Sequence, residues 1–217
     1  LPLACIAINV QLRSHEIADP SLSAALVQFR RAANNIARIE DVLVVSGWDP
    51  DPNAKVPAEL AKMPLVYTVG LERKTTGLLT TPGIQTLNQT ATDGGTIVSA
   101  IVEAIGELER AGYGAPYAAL LGPELFGFST DPSGSLVLPR DRILPFLQGP
   151  LLRSSAVPND KGAVISLAGS PIEIVVASDI SVRYLQTTLE PRYVFRVSER
   201  IALRVKDPAA IALLSKT

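Results

Sequence analysis

The sequence predicts an α+β fold in which strands pack against one long helix, and three observations support this prediction. Apolar residues between Pro20 and Gly47 recur at steps of three, four or seven, the spacing of one face of an α-helix. Ahead of this helix, Ala4 to Arg13 alternates apolar and polar residues, as a half-buried strand does. Near the end of the chain, Tyr193 to Lys206 alternates in the same way. Long helical and strand-like stretches in one chain indicate a mixed fold.

The composition indicates a folded protein without an electrostatic bias toward nucleic acid. Of the 217 residues, 47% are hydrophobic, which suffices to bury a core in one or two domains. The formal net charge of −1 provides no general attraction to nucleic acid or to an anionic membrane. We predict no transmembrane helix, because no run of about eighteen apolar residues occurs. The single Cys5 cannot form an internal disulfide, which fits a reducing compartment.

The long helix is predicted over residues 21–46. Pro20 and Ser21 provide its start and Gly47 follows it, which are typical start and stop signals. At 1.5 Å per residue the helix is about 39 Å long, longer than most helices of globular proteins. We expect its apolar stripe to bury Leu26, Phe29 and Ile36 against the long C-terminal strands.

The segment 48–92 is irregular, because prolines interrupt it repeatedly. A connection of this length without regular structure is unusual in a compact domain, and we interpret it as an extended arm. Within it, Pro64 to Gly70 is predicted to form one short strand. An amphipathic helix is then predicted to begin after Asp93 and to end at Gly112.

The second half of the chain is predicted to alternate short elements with turns. Ala118 to Gly122 is predicted as a buried strand, and residues 129–134 as an exposed loop rich in turn-forming residues. A short helix is predicted to follow Pro139. Further strands are predicted at 151–157, 163–168, 172–177 and 181–189.

No recognisable motif for catalysis or metal binding occurs in the sequence. It has no serine elbow, no paired histidines at helical spacing, no cysteine pair and no phosphate-binding loop. We interpret the only histidine, His15, as a hydrogen-bonded surface or interface residue. The basic face of the last long strand lacks interleaved aromatic residues, so we interpret it as a solvated or intersubunit face. We therefore predict no catalytic residue, no metal and no cofactor.

Several segments in combination resemble the encapsulin nanocompartment shell proteins, also called the linocin or bacteriocin family. The matching segments are EDVLVVSG at 40–47, APY at 115–117, SDIS at 178–181 and DPAAIALL at 207–214. The family has the Hong Kong 97-type phage capsid fold, with a spine helix and long strands in a peripheral domain and symmetry-axis loops in an axial domain. The resemblance implies a peripheral domain formed by 1–92 and 178–217 and an axial domain formed by 93–177.

The resemblance also implies a function, namely a self-assembling icosahedral shell that encloses cargo enzymes in the cytoplasm. Such cargo includes ferritin-like proteins and peroxidases, and the shell protein itself has no catalytic role. One loop falls where the family places its five-fold loop, and its expected pore-lining residues are Asp131, Pro132, Ser133 and Gly134. Repeated by symmetry, Asp131 would form an acidic ring that concentrates cations. The residues expected to face the cargo are Asp179, Ile180 and Val182.

The sequence departs from the family at three points. The N-terminal arm and the extended loop of the family precede the first matching strand, and because the sequence starts with Leu1, we expect it to begin inside a longer chain. The insertion 48–76 is longer than the connection in the family, and the sequence does not indicate its role. Members with bound flavin carry an aromatic residue at the position of His15, so we predict no flavin.

Two alternative functions remain open at this point. A major capsid protein of a tailed virus would share the fold and enclose DNA, and a protease is a more remote alternative because no triad is visible. The contents of purified particles distinguish the first alternative, since a capsid would contain nucleic acid and a nanocompartment would contain protein cargo. The sequence specifies neither the cargo nor the triangulation number.

Overall fold

The computed structural model of the chain describes residues 1–51, 60, 67–71, 73–88, 91–132 and 136–215. These residues form two compact units. Unit 1 comprises Leu1–Thr75 and Ile174–Arg204, and unit 2 comprises Thr76–Glu173 and Val205–Thr217. The helices are α1 (Ser14–Ala18), α2 (Ser23–Ser46), α3 (Gly94–Arg110), α4 (Pro123–Thr130) and α5 (Pro139–Leu147), with a 3-10 turn at Pro208–Ala210.

Within the described ranges the strands form three sheets, with the orders β3-β1-β10-β9, β5-β11-β8-β6-β7 and β2-β4. Their bounds are β1 (Ala4–Arg13), β2 (Gly47–Trp48), β3 (Tyr67–Gly70), β4 (Thr75–Thr76), β5 (Gln85–Asn88), β6 (Tyr117–Leu121), β7 (Leu151–Arg153), β8 (Lys161–Ser166), β9 (Ile172–Thr187), β10 (Arg192–Val205) and β11 (Ile211–Ser215). Helices and strands therefore both contribute to the fold, as the α+β prediction requires.

Unit 1 is built on the four-stranded sheet, and α2 packs against β1. β1 is antiparallel to both of its neighbours, and its register with β10 runs from Ala4 opposite Ile201 to Arg13 opposite Arg192. The even-numbered residues of β1 are buried, whereas the odd-numbered residues from Asn9 onward are exposed. The predicted half-buried strand is thus confirmed, and its apolar row is the row that faces α2.

α2 confirms the predicted long helix, but the face that it buries differs from the prediction. The residues buried on α2 are Ala25, Ala32, Ile36, Ile39, Val42, Leu43 and Val45. Ile36 is fully buried as expected, whereas Leu26 is 48% exposed. Phe29 is half-buried and packs edge-on against Phe195 of β10, with 5.5 Å between the ring centroids. The prediction for Leu26 was wrong, because small alanines rather than large apolar residues line the buried face in the first half of the helix.

Unit 2 is built on the five-stranded sheet, in which β8 lies antiparallel between β11 and β6. α3 packs its apolar face into the core of this unit, and the buried residues of that face include Ile97, Ile101, Ala104, Ile105 and Leu108. Asp93 caps the helix by accepting hydrogen bonds from the backbone N–H groups of Gly95 and Thr96, at 2.7 and 2.9 Å. The predicted amphipathic helix is therefore confirmed.

The two units do not have the same bounds as the predicted peripheral and axial domains, and the assignment of those domains stays a prediction. Residues 205–217 belong to unit 2, because β11 pairs with β8 and β5 in the second sheet. Residues 76–92 also belong to unit 2. The segment 48–92 is not an arm throughout, since its strands β3 and β5 each form an edge of a sheet. Part of the predicted strand at Pro64 to Gly70, residues 64–66, lies outside the described residues.

Several predicted elements have different bounds in the structure. The predicted strands at 172–177 and 181–189 are one continuous strand of 16 residues, β9, and the strand predicted at 151–157 ends at Arg153. The predicted loop 129–134 begins too early, because Ser129 and Thr130 belong to α4. Ser129 is fully buried, and its hydroxyl donates to the carbonyl of Phe126 at 2.6 Å.

Candidate functional site

The three residues predicted to face cargo lie on β9, an edge strand of the sheet in unit 1. Asp179, Ile180 and Val182 are all exposed, and the last two are 40% and 53% exposed. The Asp179 carboxylate accepts a hydrogen bond from the backbone N–H of Ile180 at 2.7 Å. The structure therefore brings these residues together on one accessible strand.

Ile180 and Val182 belong to a longer row of exposed apolar residues, which we call the β9 stripe. Its members are Ile174, Val176, Ile180, Val182 and Tyr184, each about half exposed. Alternate residues of a strand share one face, so these even-numbered residues point to the same side of the sheet. The Tyr184 ring packs edge-on against Phe195, which in turn contacts Phe29 of α2. Tyr184 thereby joins the β9 stripe to the aromatic contact between β10 and α2.

The first turns of α2 expose further apolar side chains. Leu22, Leu26 and Val27 are 43%, 48% and 52% exposed. Leu22 and Leu26 are one helical turn apart, and Leu26 precedes Phe29 by three residues. Leu22, Leu26 and Phe29 are therefore neighbours on the helix surface. Contiguous exposed apolar surface of this kind typically marks a site that binds another protein or another segment of chain.

Carboxylates converge where α2 meets the sheet. Glu199 of β10 is only 5% exposed, and its Oε2 atom has no hydrogen-bond partner among the described residues. Burial raises the pKa of Glu199 to about 7, and the negative charges of Glu40 and Asp179 add to this effect. Burial also raises the pKa of Glu40, with further contributions from the charges of Asp41 and Asp179.

The sequence prediction missed Glu199, although the pattern contained a signal. Val197 and Ile201 are inward positions of β10, so period-two alternation places residue 199 in the same buried row. Glutamate is almost never fully buried unless it is paired, so a glutamate in an otherwise apolar row indicates a candidate functional residue.

The predicted pore loop is only partly described. Asp131 and Pro132 follow α4 directly and are exposed, with Asp131 in an extended conformation at φ −78°. Ser133 and Gly134 lie outside the described residues. These residues belong to unit 2, whereas the predicted cargo-facing residues belong to unit 1.

The described residues do not provide a metal centre or a membrane span. Among them, no three His, Cys, Asp or Glu side chains are grouped so that they could hold a metal ion. No helix among the described residues combines the length and apolar character needed to cross a membrane. His15 lies on the rim of a shallow cavity of about 390 Å³, beside Arg13, Glu190 and Arg192.

Comparison with protein families gives a match over most of the chain. The family model Linocin_M18, described as encapsulating protein for peroxidase, matches residues 64–202. The type 1 encapsulin shell protein EncA of Myxococcus xanthus (strain DK1622) is 30% identical over 142 residues, which is 64% of this chain and 48% of EncA. The chain thus spans about half the length of this curated relative.

Solved structures with the same architecture include both compartment shells and phage capsids. The virus-like particle from Pyrococcus furiosus matches with a TM-score of 0.68 at 15% identity, over 96% of this chain and 76% of that one. The capsid of Myoviridae phage XM1 matches with a TM-score of 0.70 at 12% identity, over 100% and 74% of the two chains. The holo-SrpI encapsulin complex from Synechococcus elongatus PCC 7942 matches with a TM-score of 0.63 at 15% identity, over 98% and 73%. The chain therefore has the Hong Kong 97-like capsid fold.

Proposed function

This chain belongs to the Linocin_M18 family of encapsulating proteins, and we propose that it forms the wall of a closed icosahedral compartment that encloses cargo protein. In this proposal the chain is a structural subunit rather than an enzyme, and its partners are further copies of itself and the enclosed cargo. The compartment is cytoplasmic. The cargo in this proposal is a ferritin-like protein or a peroxidase, and the description of the family model supports the peroxidase.

The family match is the observation that carries this proposal. Structural similarity alone does not distinguish a compartment from a viral capsid, because solved shells of both kinds have this fold. The family match favours the compartment, because it covers residues 64–202 and its description refers to encapsulation of an enzyme. A capsid protein that encloses DNA is therefore the second candidate function, and it has weaker support.

The full-length protein, including any residues that flank this sequence, is expected to purify as closed shells. A closed icosahedral assembly of one chain requires on the order of sixty copies or a multiple of sixty. Sedimentation velocity and electron microscopy at physiological salt measure the assembly. Only monomers or dimers under these conditions would contradict the proposal.

The contents of the same particles separate the two candidate functions. Mass spectrometry of purified shells is expected to detect one co-purifying protein in substantial amount. The ultraviolet absorbance spectrum of the same particles is expected to be that of protein. A DNA-enclosing capsid would instead show an absorbance spectrum dominated by nucleic acid. That nucleic acid would resist nuclease until the particles are opened. The assembly result does not depend on this outcome, so the two claims can fail separately.

We further propose that the β9 stripe is where cargo contacts the subunit. Two features support this assignment: Ile180 and Val182 are exposed, and they share one face of an edge strand. In addition, Tyr184 of the same stripe packs against Phe195, which contacts Phe29 of α2. An extended apolar cargo segment would bury these side chains, and the open edge of β9 would offer backbone hydrogen bonds.

Val182→Asp is expected to reduce the amount of cargo in purified shells at least about tenfold. Burying a valine side chain contributes about 1.5–3 kcal/mol, and each 1.4 kcal/mol corresponds to a factor of ten in binding. Quantitative mass spectrometry of shells co-expressed with the native cargo measures the cargo-to-shell ratio. The matched control is Arg183→Asp, on the opposite face of the same strand, which should leave the ratio unchanged. Equal loading in both variants would place the cargo surface elsewhere.

The proposal also includes the predicted pore loop, which follows α4. We propose that the predicted pore loop, of which Asp131 and Pro132 are described, lines a pore at a symmetry axis of the shell. The support is the family resemblance and the exposure of the two described residues of this loop. A ring of Asp131 carboxylates would concentrate small cations at the entrance.

A further inference from the structure

Glu199 occupies a position where an apolar residue would be expected. It lies in β10 between the inward-facing Val197 and Ile201, and its register partner on β1 is Ile6. These three apolar side chains are at most 1% exposed. Directly opposite residues of antiparallel strands share a face, so Glu199 points to the side of the sheet that α2 covers. Its carboxyl group is therefore held in the contact layer between helix and sheet.

The charged groups that surround the carboxyl group of Glu199 do not stabilise its ionised form. α2 contributes Glu40, whose own environment includes Asp41, and β9 contributes Asp179. The β1 residues in the same row are Ala4, Ile6 and Ile8, which carry no charge. On β10 itself, the adjacent cations Arg196 and Arg200 are exposed positions of the opposite face.

An ionised carboxylate in this position would be destabilising for two reasons. Its Oε2 atom is buried and has no hydrogen-bond partner among the described residues, so ionisation would leave a buried charge without a donor. Glu40 and Asp179 would add repulsion between like charges. A protonated Glu199 removes both penalties, and its pKa of about 7 means that the proton is lost near neutral pH.

We propose that the packing of α2 on the four-stranded sheet of unit 1 is a proton-operated latch, which is tight while Glu199 holds a proton and loosens when Glu199 and Glu40 are both ionised. The proton exchanges with solvent, and no other group has to be oxidised, reduced or transferred. This inference concerns unit 1 by itself and does not rest on the proposed function. If the proposed shell is also correct, Glu199 lies on the strand next to the one that carries the β9 stripe.

The direction of the pH effect follows from linkage between proton binding and folding. The pKa of Glu199 is raised in the folded state above its ordinary value of 4.5, so the folded state binds the proton more tightly than the unfolded state does. The latch is therefore most stable below about pH 4.5, loses stability as the pH rises toward 7, and changes little above that. Between pH 5.5 and 8.5 the equilibrium constant for opening is expected to rise on the order of 30-fold.

Hydrogen exchange of peptides from residues 36–46 of α2, corrected for the intrinsic exchange rate at each pH, measures this opening in the intact chain. In the parent protein we expect protection to fall on the order of 30-fold from pH 5.5 to 8.5. Glu199→Gln cannot ionise and should abolish most of this change. The matched control is Glu190→Gln, an exposed position of the hairpin between β9 and β10, which should retain the full change.

A second variant keeps the proposal testable if Glu199→Gln does not fold. Glu40→Gln removes a like charge from the partly exposed side of the contact, so the midpoint of the protection change should move to lower pH. An unchanged midpoint in Glu40→Gln, or a full pH response in folded Glu199→Gln, would overturn the latch. A response that disappears in Glu190→Gln would also overturn it, because the titrating group would then lie in the hairpin.

Discussion

Gly122→Ala is expected to prevent unit 2 from folding stably. A Cβ atom on Gly122 would lie 2.0 Å from the carbonyl oxygen of Pro158 and 2.9 Å from that of Asn159. Both oxygens belong to the backbone, so no side-chain rotation can relieve the overlap. The φ of Gly122 is −65°, which suits any residue, and the close approach alone therefore requires glycine.

The surrounding hydrogen bonds prevent the chain from shifting to make room. The N–H of Gly122 donates to the carbonyl of Lys161 at 2.9 Å, and its own carbonyl accepts from the N–H of Phe126 at 2.9 Å. Gly122 thereby joins the end of β6 both to β8 and to the first turn of α4. Separating these elements would expose the buried side chain of Leu125. We expect a loss of more than about 4 kcal/mol, a large share of the stability of a typical domain.

Thermal unfolding followed by circular dichroism, together with soluble yield, measures this effect. Gly127→Ala is the matched control, because a Cβ atom there meets nothing within 4 Å and the residue lies inside the same helix. Alanine favours a helix interior over glycine, so this control should be neutral or stabilising by up to about 1 kcal/mol. A Gly122→Ala protein as stable as the control would show that the β6–α4 junction is looser than described.

Ile36→Ala is expected to lower the free energy of unfolding of unit 1 by about 2–5 kcal/mol. Ile36 is fully buried on the face of α2 that packs against the sheet, and truncation would leave a cavity that the neighbouring side chains cannot fill completely. Leu26→Ala on the same helix should cost less than about 1 kcal/mol, because Leu26 is 48% exposed.

Trp48 is the only tryptophan of the chain and belongs to unit 1, so its fluorescence during urea unfolding reports on this unit. The prediction concerns the difference in the free energy of unfolding between Ile36→Ala and Leu26→Ala, since both variants remove a branched aliphatic side chain from α2. Similar losses in both would mean that Leu26 is covered, as the sequence pattern had predicted. In shells, a Leu26→Ala protein of normal stability with reduced cargo would extend the proposed cargo surface to α2.

Much of the secondary structure was predictable, because its signals are local. The alternation of Ala4 to Arg13 predicted β1, and the spacing of Ile97, Ile101 and Leu108 predicted α3 with the correct buried face. Gly47 ends α2 at a φ of +78°, a conformation that glycine adopts readily and that its position had indicated. Each of these signals depends only on residues within a few positions along the chain.

The candidate site was predictable only in part. The resemblance indicated Asp179, Ile180 and Val182, and all three prove to be exposed on one strand, but their role in cargo binding stays a prediction. It was not apparent that all residues of the β9 stripe share one strand, because the sequence pattern divided β9 into two strands. Whether β9 forms an edge depends on strand order, which no local pattern specifies.

The sequence by itself determined the long helix, the alternating strands and, through its family resemblance, the capsid fold. Only the tertiary structure decided which face of α2 is covered, that β11 joins unit 2, and that Glu199 is buried near Glu40 and Asp179. The reason is physical: helical periodicity and capping arise between neighbours along the chain, whereas burial and pKa depend on residues that folding brings together. Glu40 and Glu199 lie far apart in sequence, and only the packing of α2 on the sheet makes their charges interact.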